Sequence, residues 1–215
     1  LTQNTARLDA SPCRLDTTLT LPVTVTNLTG HKFPTGYPNR RAWLRVKVED
    51  AAGKPVFESG GYDAFGEIAG LDLGHEPHYD AISQPGQVQV YETVMGDVHG
   101  TPTRRLMHAA AYLKDNRILP AGMSPAVTDT DIRVVGIGGD ANFIGGSDQV
   151  TYRIAGLNGA NYQVEAELVH QPLAYSFAQD LFSEVDGEVE DFKTMFDASN
   201  LKSNRITLSS FAVSQ

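Results

Sequence analysis

A strict alternation of apolar and polar residues recurs along this chain, and it is the feature that most restricts the fold. Residues 18–26 read TLTLPVTVT, with leucine or valine at every second position. Residues 42–48, 87–94 and 162–168 repeat the alternation. A period of two places the apolar side chains on one face of a β-strand, which is typical of strands that are buried on one side. We therefore expect a set of antiparallel strands that pack through their apolar faces.

Other segments complete this prediction. Pro22 lies within the first alternating run and favours an edge strand or a bulge at that position. Residues 50–54, with the sequence DAAGK, indicate a hairpin turn. Further elements are predicted from shorter patterns: strands at residues 55–59, 132–135, 149–154 and 206–213, and a short helix at residues 103–114.

Near the C-terminus the spacing of apolar residues changes from two to three and four, across residues 174–185 and 189–196. This spacing is typical of helices with one buried face, and we interpret it as part of the core. The predicted fold is therefore mainly β: an antiparallel β-sandwich, immunoglobulin-like or jelly-roll-like, with one or two short helices near the C-terminus. Residues 1–17 are expected to form a loosely tied N-terminal lead-in, and residues 18–215 a single β-sandwich domain.

Composition excludes several classes of function. The formal net charge of −9 argues against a nucleic acid or an anionic membrane surface as the partner. No apolar run is long enough for a transmembrane helix. The single cysteine, Cys13, excludes an internal disulfide and a multi-cysteine metal site, and no Cys-x-x-Cys-His motif is present for covalent attachment of a c-type haem.

Signals for catalysis are few. The sequence has no Gly-x-Ser-x-Gly motif, no His-Glu-x-x-His motif and no phosphate-binding loop. Cys13 as a nucleophile with a distant histidine, and Asp63 with Asp80 or Glu92 as a hydrolytic pair, are the alternatives that stay open. We expect a protein that is not an enzyme.

An acidic connection at residues 60–86 has little regular pattern, and long ordered loops of this kind are usually functional. Its carboxylates and histidines are Asp63, Glu67, Asp72, His75, Glu76, His78 and Asp80. Oxygen-rich loops suit Ca²⁺, which takes six to eight oxygen ligands in irregular geometry. The two hypotheses are a calcium site that stabilises the fold and a solvated acidic loop.

A second connection, the Gly/Pro loop at residues 27–41, combines two glycines and two prolines with His31, Lys32, Arg40 and Arg41. Glycine and proline give such a loop a defined shape, and residues on a defined loop above a sheet often carry function. Ordinary turn chemistry is the alternative reading.

The stretch NLTGHKFPTGYPNRRAWL at residues 27–44 resembles the signature of a β-rich domain at the C-terminal end of many bacterial multihaem c-type cytochromes. The resemblance continues in order over roughly residues 18–195, through residues 56–60, 76–80, 87–97, 112–120, 140–146, 150–152 and 171–175. The chain departs from that family because it has no haem-attachment motif. The resemblance implies a protein exported to the periplasm or cell surface, close to an electron-transfer chain.

The resemblance also suggests roles for individual residues. His31 is a candidate sixth ligand for a haem on a partner or on a further segment, and the alternative is that its ring bonds a backbone carbonyl or Asp80. His78 is a similar candidate, and His31 and His78 are a candidate metal site with Asp80 or Asp97. Arg40 and Arg41 are expected to meet a haem propionate, or to pair internally with Glu58 or Asp80.

Three functions follow. The first is a non-catalytic module that docks to or caps a c-type cytochrome in extracytoplasmic electron transfer, with Ca²⁺ as a structural ion and haem c only on the partner. The second is a small metal-binding redox protein or metalloenzyme with a His31/His78 site. The third is a carbohydrate-binding β-sandwich. In the first function, the predicted cofactor-binding residues are His31, Arg40, Arg41 and His78, and the predicted metal ligands are Asp63, Glu67, Asp80 and Asp97.

Overall fold

The computed structural model describes residues 4–71, 74–127, 129–199 and 202–214. Within them the strands are β1 (Ala6–Ala10), β2 (Cys13–Leu15), β3 (Thr18–Asn27), β4 (Arg41–Asp50), β5 (Pro55–Ser59), β6 (Ala81–Ile82), β7 (Val90–Gly96), β8 (Pro102–Thr103), β9 (Ala111–Asp115), β10 (Ser147–Ile154), β11 (Asn161–Gln171) and β12 (Asn204–Ser214). The helices are α1 (Tyr175–Phe182) and α2 (Gly187–Ala198), with a 3₁₀ helix at Leu106–His108. Neither α-helix has the length and apolar character that crossing a bilayer requires.

Two sheets enclose one core. In the first sheet the order is β1, β3, β10 and β6, with β2 also paired to β3. In the second sheet the order is β12, β11, β4, β7 and β8, with β5 on β4 and β9 on β7. The pairings are antiparallel except that of β10 with β6. The predicted mainly-β sandwich with helices near the C-terminus is confirmed.

The alternating faces of β3 and β4 form the centre of that core. Along β3 every second residue is buried, which matches the period of two in the sequence. Leu21 and Val23 of β3 and Leu44 and Val46 of β4 are fully buried in one hydrophobic cluster. Burial of each such side chain stabilises the fold by roughly 1.5–3 kcal/mol.

The N-terminal segment is more ordered than expected. Residues 1–17 were expected to be loosely tied, but β1 and β2 both pair with β3. Pro22 is therefore not on an edge strand. The carbonyl of Pro22 accepts the backbone N–H of Ser11, which lies in the gap between β1 and β2. Since N and O of one residue point to the same side in an antiparallel strand, the missing N–H of Pro22 faces this gap.

Two other predictions are wrong. The helix expected at residues 103–114 is replaced by β8, the 3₁₀ helix and β9. Residues 111–115 pair with β7, so that tertiary contact overrides the helical spacing. The strand expected at residues 132–135 is absent, and Val135 makes an isolated bridge with Asp115.

The Gly/Pro loop is fixed to the end of β3. The side-chain amide of Asn27 donates to the carbonyls of His31, Ile118 and Leu119, at 2.7, 3.0 and 3.2 Å. Phe33 and Ile118 exchange two backbone hydrogen bonds of 2.8 Å each. Because Asn27 is the last residue of β3, the core strand itself positions the loop that carries His31.

We predict that Asn27→Ala lowers the free energy of unfolding by about 1–3 kcal/mol, because buried carbonyls lose their donor. Urea unfolding measures this change. Asn158→Ala is the control, since Asn158 is exposed and, among the described residues, its amide donates only to the carbonyl of Gly156. Equal effects of the two substitutions would contradict the anchoring role of Asn27.

Candidate functional site

An apolar pocket of about 380 Å³ opens beside the Gly/Pro loop. His31, Phe33, Pro34, Arg40, His170 and Ile206 are among the residues that line it. The structure therefore brings together two of the residues predicted to bind a cofactor, His31 and Arg40. His170, which the sequence did not single out, is a third ionisable residue in this pocket, and burial lowers its pKa.

The His31 ring is oriented by the loop. Its Nδ1 lies 3.0 Å from the carbonyl oxygen of Lys32 and 3.2 Å from Oγ1 of Thr29. A carbonyl only accepts hydrogen bonds, so Nδ1 of the neutral ring carries the proton and Nε2 keeps a lone pair. Nε2 has no hydrogen-bond partner among the described residues, and the residue is exposed. Ligating histidines commonly have this arrangement, with one nitrogen bonded to the backbone and the other free.

Arg40 and Arg41 have different environments. Nη1 of Arg40 donates to the carbonyl of Thr35 at 3.0 Å, and the side chain pairs with no carboxylate in the described part of the chain. Arg41 is buried, and it donates to Oε1 of Gln171 and to the carbonyl of Gly66, each at 2.8 Å. Burial lowers the pKa of Arg41 to about 10. Arg41 is thus not placed to meet a partner's carboxylate, contrary to the prediction.

The predicted internal pairing of these arginines is also wrong. Glu58 pairs with Arg45, at 2.6 Å between Nη2 and Oε1. Asp80 is exposed and lies beside His78 at the edge of a cavity of about 360 Å³. Arg40 therefore keeps donors for a group outside the described residues.

His78 lies in a buried cluster with two carboxylates. Its side chain is 1% exposed, and those of Asp140 and Asp148 are 4% and 0% exposed. Nε2 lies 3.1 Å from Oδ2 of Asp140 and 4.0 Å from Oδ1 of Asp148. The predicted role of His78 as a ligand for a partner's haem is therefore not supported, because the ring is enclosed.

Two amide groups determine the tautomer of His78. Nε2 of Gln89 and Nδ2 of Asn116 lie 2.8 and 3.0 Å from Nδ1. The amide oxygens of the same two residues accept the backbone N–H groups of Tyr79 and Glu92, at 2.8 and 3.0 Å, which fixes the orientation of both amides. Nδ1 must then accept, so the neutral ring carries its proton on Nε2 and donates it to Asp140.

Asp148 is the second carboxyl group of the cluster around His78. Its Oδ2 accepts the hydroxyl of Tyr91 at 2.7 Å and the amide of Gln89 at 3.3 Å. Its Oδ1 is buried and has no hydrogen-bond partner among the described residues. Burial is the main cause that raises the pKa of Asp148 to about 6, and the nearby Asp140 carboxylate adds to the shift.

The spacing of His78, Asp140 and Asp148 is compatible with a metal ion, since one ligand atom of each lies within 4.8 Å of the others. The donor chemistry does not favour coordination through His78. Nε2 of His78 carries a proton, so it has no lone pair for a metal. If the proton moved to Nδ1, that N–H would face the amide N–H groups of Gln89 and Asn116, which are also donors. The arrangement fits a buried proton-binding cluster better than a metal centre.

The four predicted metal ligands do not form one group in the described residues, although Asp63 and Glu67 line the same pocket. Asp63 accepts the backbone N–H groups of Phe65 and Glu67, and Asp97 accepts those of His99 and Thr101. Each carboxylate thus stabilises its own turn. His31 and Asp97 are outside the group formed around His78. Asp72 of the acidic loop lies outside the described residues, and the calcium ion stays a prediction.

Sequence reasoning missed Asp140, Asp148, Gln89 and Asn116. A signal for Asp148 was present, because it shares the alternating face of β10 with Val150, Tyr152 and Ile154, which are all buried. An aspartate in the buried register of a strand is unusual and indicates a functional or hydrogen-bonded site. No signal in the sequence linked Asn116 to His78, which is 38 residues away.

Comparisons with known proteins identify a related fold. No protein-family model matches the chain, and no curated protein matches it in sequence. A solved structure, a penta-haem cytochrome c552 from Thermochromatium tepidum, has a similar fold with a TM-score of 0.59 and 16% sequence identity. The match covers 99% of this chain and 40% of the cytochrome chain. A multihaem cytochrome thus contains a fold like this one.

We predict that Asp148→Asn changes how stability depends on pH. A raised acid pKa means that the folded protein keeps a proton between about pH 4 and 6 that the unfolded chain releases, so the free energy of unfolding falls as the pH rises through this window. A pKa of about 6 in the folded protein, against an ordinary value of 3.8, corresponds to a change of about 3 kcal/mol in the free energy of unfolding. Asparagine does not ionise. Between a pH below about 4 and pH 8, the free energy of unfolding of the variant should therefore rise by about this much relative to that of the wild type.

Urea unfolding at both pH values measures the difference. Asp191→Asn is the matched control, because Asp191 is exposed on α2. A difference between Asp148→Asn and the wild type that is the same at both pH values would show that Asp148 does not titrate in this way.

Proposed function

We propose that this chain is a non-catalytic β-sandwich module that works beside the haem groups of a multihaem c-type cytochrome in extracytoplasmic electron transfer. The haem groups would be carried by a partner chain or by another segment of the same protein, because this sequence has one cysteine and no haem-attachment motif. The similarity to the penta-haem cytochrome supports the proposal. The match covers 40% of the cytochrome chain, so most of that chain lies outside the part that resembles this fold. Covalent c-type haem is an extracytoplasmic group in the resembling family, so the proposal includes export.

The observation that carries the proposal is the pocket at His31. It combines an apolar lining, one histidine with a free Nε2 and one arginine without a carboxylate partner in the described residues. A haem has a flat apolar ring, an iron that binds imidazole, and propionates that bind guanidinium groups. The three features of the pocket match these three features of a haem edge.

The alternative of a joint His31/His78 metal site has less support. His78 is enclosed and donates its Nε2 proton to Asp140, whereas His31 is exposed and lines a different pocket. A single metal ion would need a lone pair from each ring, and the geometry offers only that of His31. No arrangement of the described residues specifically favours carbohydrate binding over the haem-associated role.

The gene provides a direct test. We expect Cys-x-x-Cys-His motifs in the reading frame upstream of the codon for Leu1, or in an adjoining gene that is expressed together with it. If neither location encodes a haem-attachment motif, the association with a c-type cytochrome is wrong.

We predict that His31→Ala weakens binding of ferric haem to the purified chain by about tenfold or more, which is about 1.4 kcal/mol. Titration with haemin, followed through the Soret band, measures the affinity and shows whether a low-spin imidazole complex forms. The loss should arise because Nε2 of His31 is the ligand with a free lone pair.

His108→Ala is the matched control, because His108 is also exposed and lies in the 3₁₀ helix, outside the pocket. The control should bind haemin as the wild type does. A wild-type chain that gives no low-spin spectrum, or equal loss in the two variants, would contradict a haem-facing role for His31.

A further inference from the structure

The two helices near the C-terminus form a surface that the rest of the fold does not cover. No residue of α2 is buried in the structure, and α1 buries only Ala178. Val185, between the helices, is 94% exposed, and Met195 of α2 is 64% exposed. Apolar residues at helical spacing normally face a packed partner, so their exposure indicates an interaction surface.

The helices are nevertheless well defined by local contacts. The Asp186 side chain caps α2 by accepting the backbone N–H of Glu188 at 2.9 Å. Phe182 of α1 packs against Phe192 and Phe196 of α2, with ring centroids 6.0 and 5.4 Å apart. The hairpin therefore keeps its shape without burial beneath the sheets, which is what a preformed docking surface requires.

A notch in this surface is of a size for an apolar side chain. It has a volume of about 290 Å³ and is lined by Leu173, Phe192, Met195 and Phe196, with Lys202 at one side. We call the set of Leu181, Val185, Phe192 and Met195, with the notch, the helical face. It is separate from the pocket at His31, which shares only Pro172 with the notch lining.

Negative charge is concentrated around the helical face. Residues 180–197 contain seven acidic residues and one lysine, a net charge of −6 within a chain whose net charge is −9. Arg105 pairs with Glu184, and Lys193 pairs with Asp197 at 2.6 Å. Glu188, Glu190 and Asp191 have no ion-pair partner among the described residues. The apolar centre is thus bordered by an excess of carboxylates, three of them unpaired, over the cationic groups of Arg105, Lys193 and Lys202.

This charge distribution selects one kind of occupant. A second copy of the chain would bring the same acidic border against itself, and like charges across an interface cost free energy. An anionic membrane or a nucleic acid would be repelled in the same way. A surface with apolar side chains at its centre and lysines or arginines around them has the complementary charge.

We propose that the helical face is a docking site for a basic protein surface, in which an apolar side chain enters the notch and cationic side chains meet the acidic border. The border would mainly accelerate association and orient the partner, while the notch would supply the contact that slows dissociation. This inference is independent of the proposed role of the pocket at His31, since it uses other residues and a partner without haem satisfies it.

Defined peptides can test the two parts of the site. The probe is a synthetic amphipathic helix with leucine on one face and lysine on the other, and its affinity is measured by fluorescence anisotropy. We expect it to bind, with an affinity that falls as NaCl is added. A helix with glutamate in place of lysine, and a helix with alanine in place of leucine, should bind at least about tenfold more weakly.

Substitutions on the protein locate the binding. The double variant Val185→Ser with Met195→Gln should lose about tenfold in affinity for the lysine–leucine helix. The control is Leu15→Ser with Ile144→Gln, because these residues are 75% and 50% exposed and lie at strands of the first sheet, whereas the helices follow β11 of the second sheet. The triple variant Glu188→Gln, Glu190→Gln and Asp191→Asn should weaken binding and reduce its salt dependence.

Several outcomes would overturn the proposal. Equal weakening in the control variant would show that the peptide does not bind at the helical face. Equal binding of the alanine helix would show a general attraction to negative charge rather than a docking site. Sedimentation that shows a dimer of the wild type, and a monomer of the Val185/Met195 variant, would identify a second copy as the occupant. Unchanged melting temperatures would establish that the variants remain folded.

Discussion

The burial of the alternating faces of β3 and β4 in one core is the constraint on which the rest of the structure depends. Once these faces are inside, the strand ends are fixed, and the loops that leave them have fixed starting points. β3 ends at Asn27, whose amide holds the loop that carries His31. β10 pairs with β3, and the same register that buries Val150 and Tyr152 places Asp148 inside the sandwich, beside His78. Both histidine environments are thus consequences of the core packing.

The two histidines have opposite hydrogen-bonding roles, although both lie on loops. His31 donates through Nδ1 to a carbonyl and keeps the lone pair of Nε2. His78 accepts at Nδ1 from two oriented amides and donates through Nε2 to Asp140. The first arrangement leaves a ligand atom available to something outside the described residues. The second uses both ring nitrogens in hydrogen bonds within the fold and leaves no free lone pair on the ring.

The sequence predicted the elements whose signal is local. Alternation along residues 18–26 and 162–168 identified β3 and β11, and the change of spacing after residue 174 identified the helices. The prediction that the apolar face of these helices is part of the core was wrong, since they bury only Ala178. The helix predicted at residues 103–114 was wrong, because pairing with β7 outweighs the helical spacing there. Lys114 is buried as a result, and it donates to the carbonyl of Val90 at 2.9 Å. Such a contact depends on chain segments that meet only after folding, and no local pattern encodes it.

The candidate site was predictable to a similar degree. His31 and Arg40 were both selected from the Gly/Pro loop, and the structure places both at one pocket. Arg41, the neighbour of Arg40, points into the fold because adjacent residues at the start of a strand face opposite sides. The partners of His78 lie 11, 38 and 62 residues away, outside the regular strands, and they meet only in the folded protein. Their roles therefore required the structure.

The fold gives His31 and His78 different tautomers, and this difference can be measured directly. Long-range ¹H–¹⁵N correlation spectra of the histidine rings, recorded at about pH 8, where imidazole is ordinarily neutral, report directly which nitrogen carries the proton. We predict a protonated Nδ1 for His31 and a protonated Nε2 for His78. A spectrum in which His78 carries its proton on Nδ1, or in which His31 carries it on Nε2, would contradict the account.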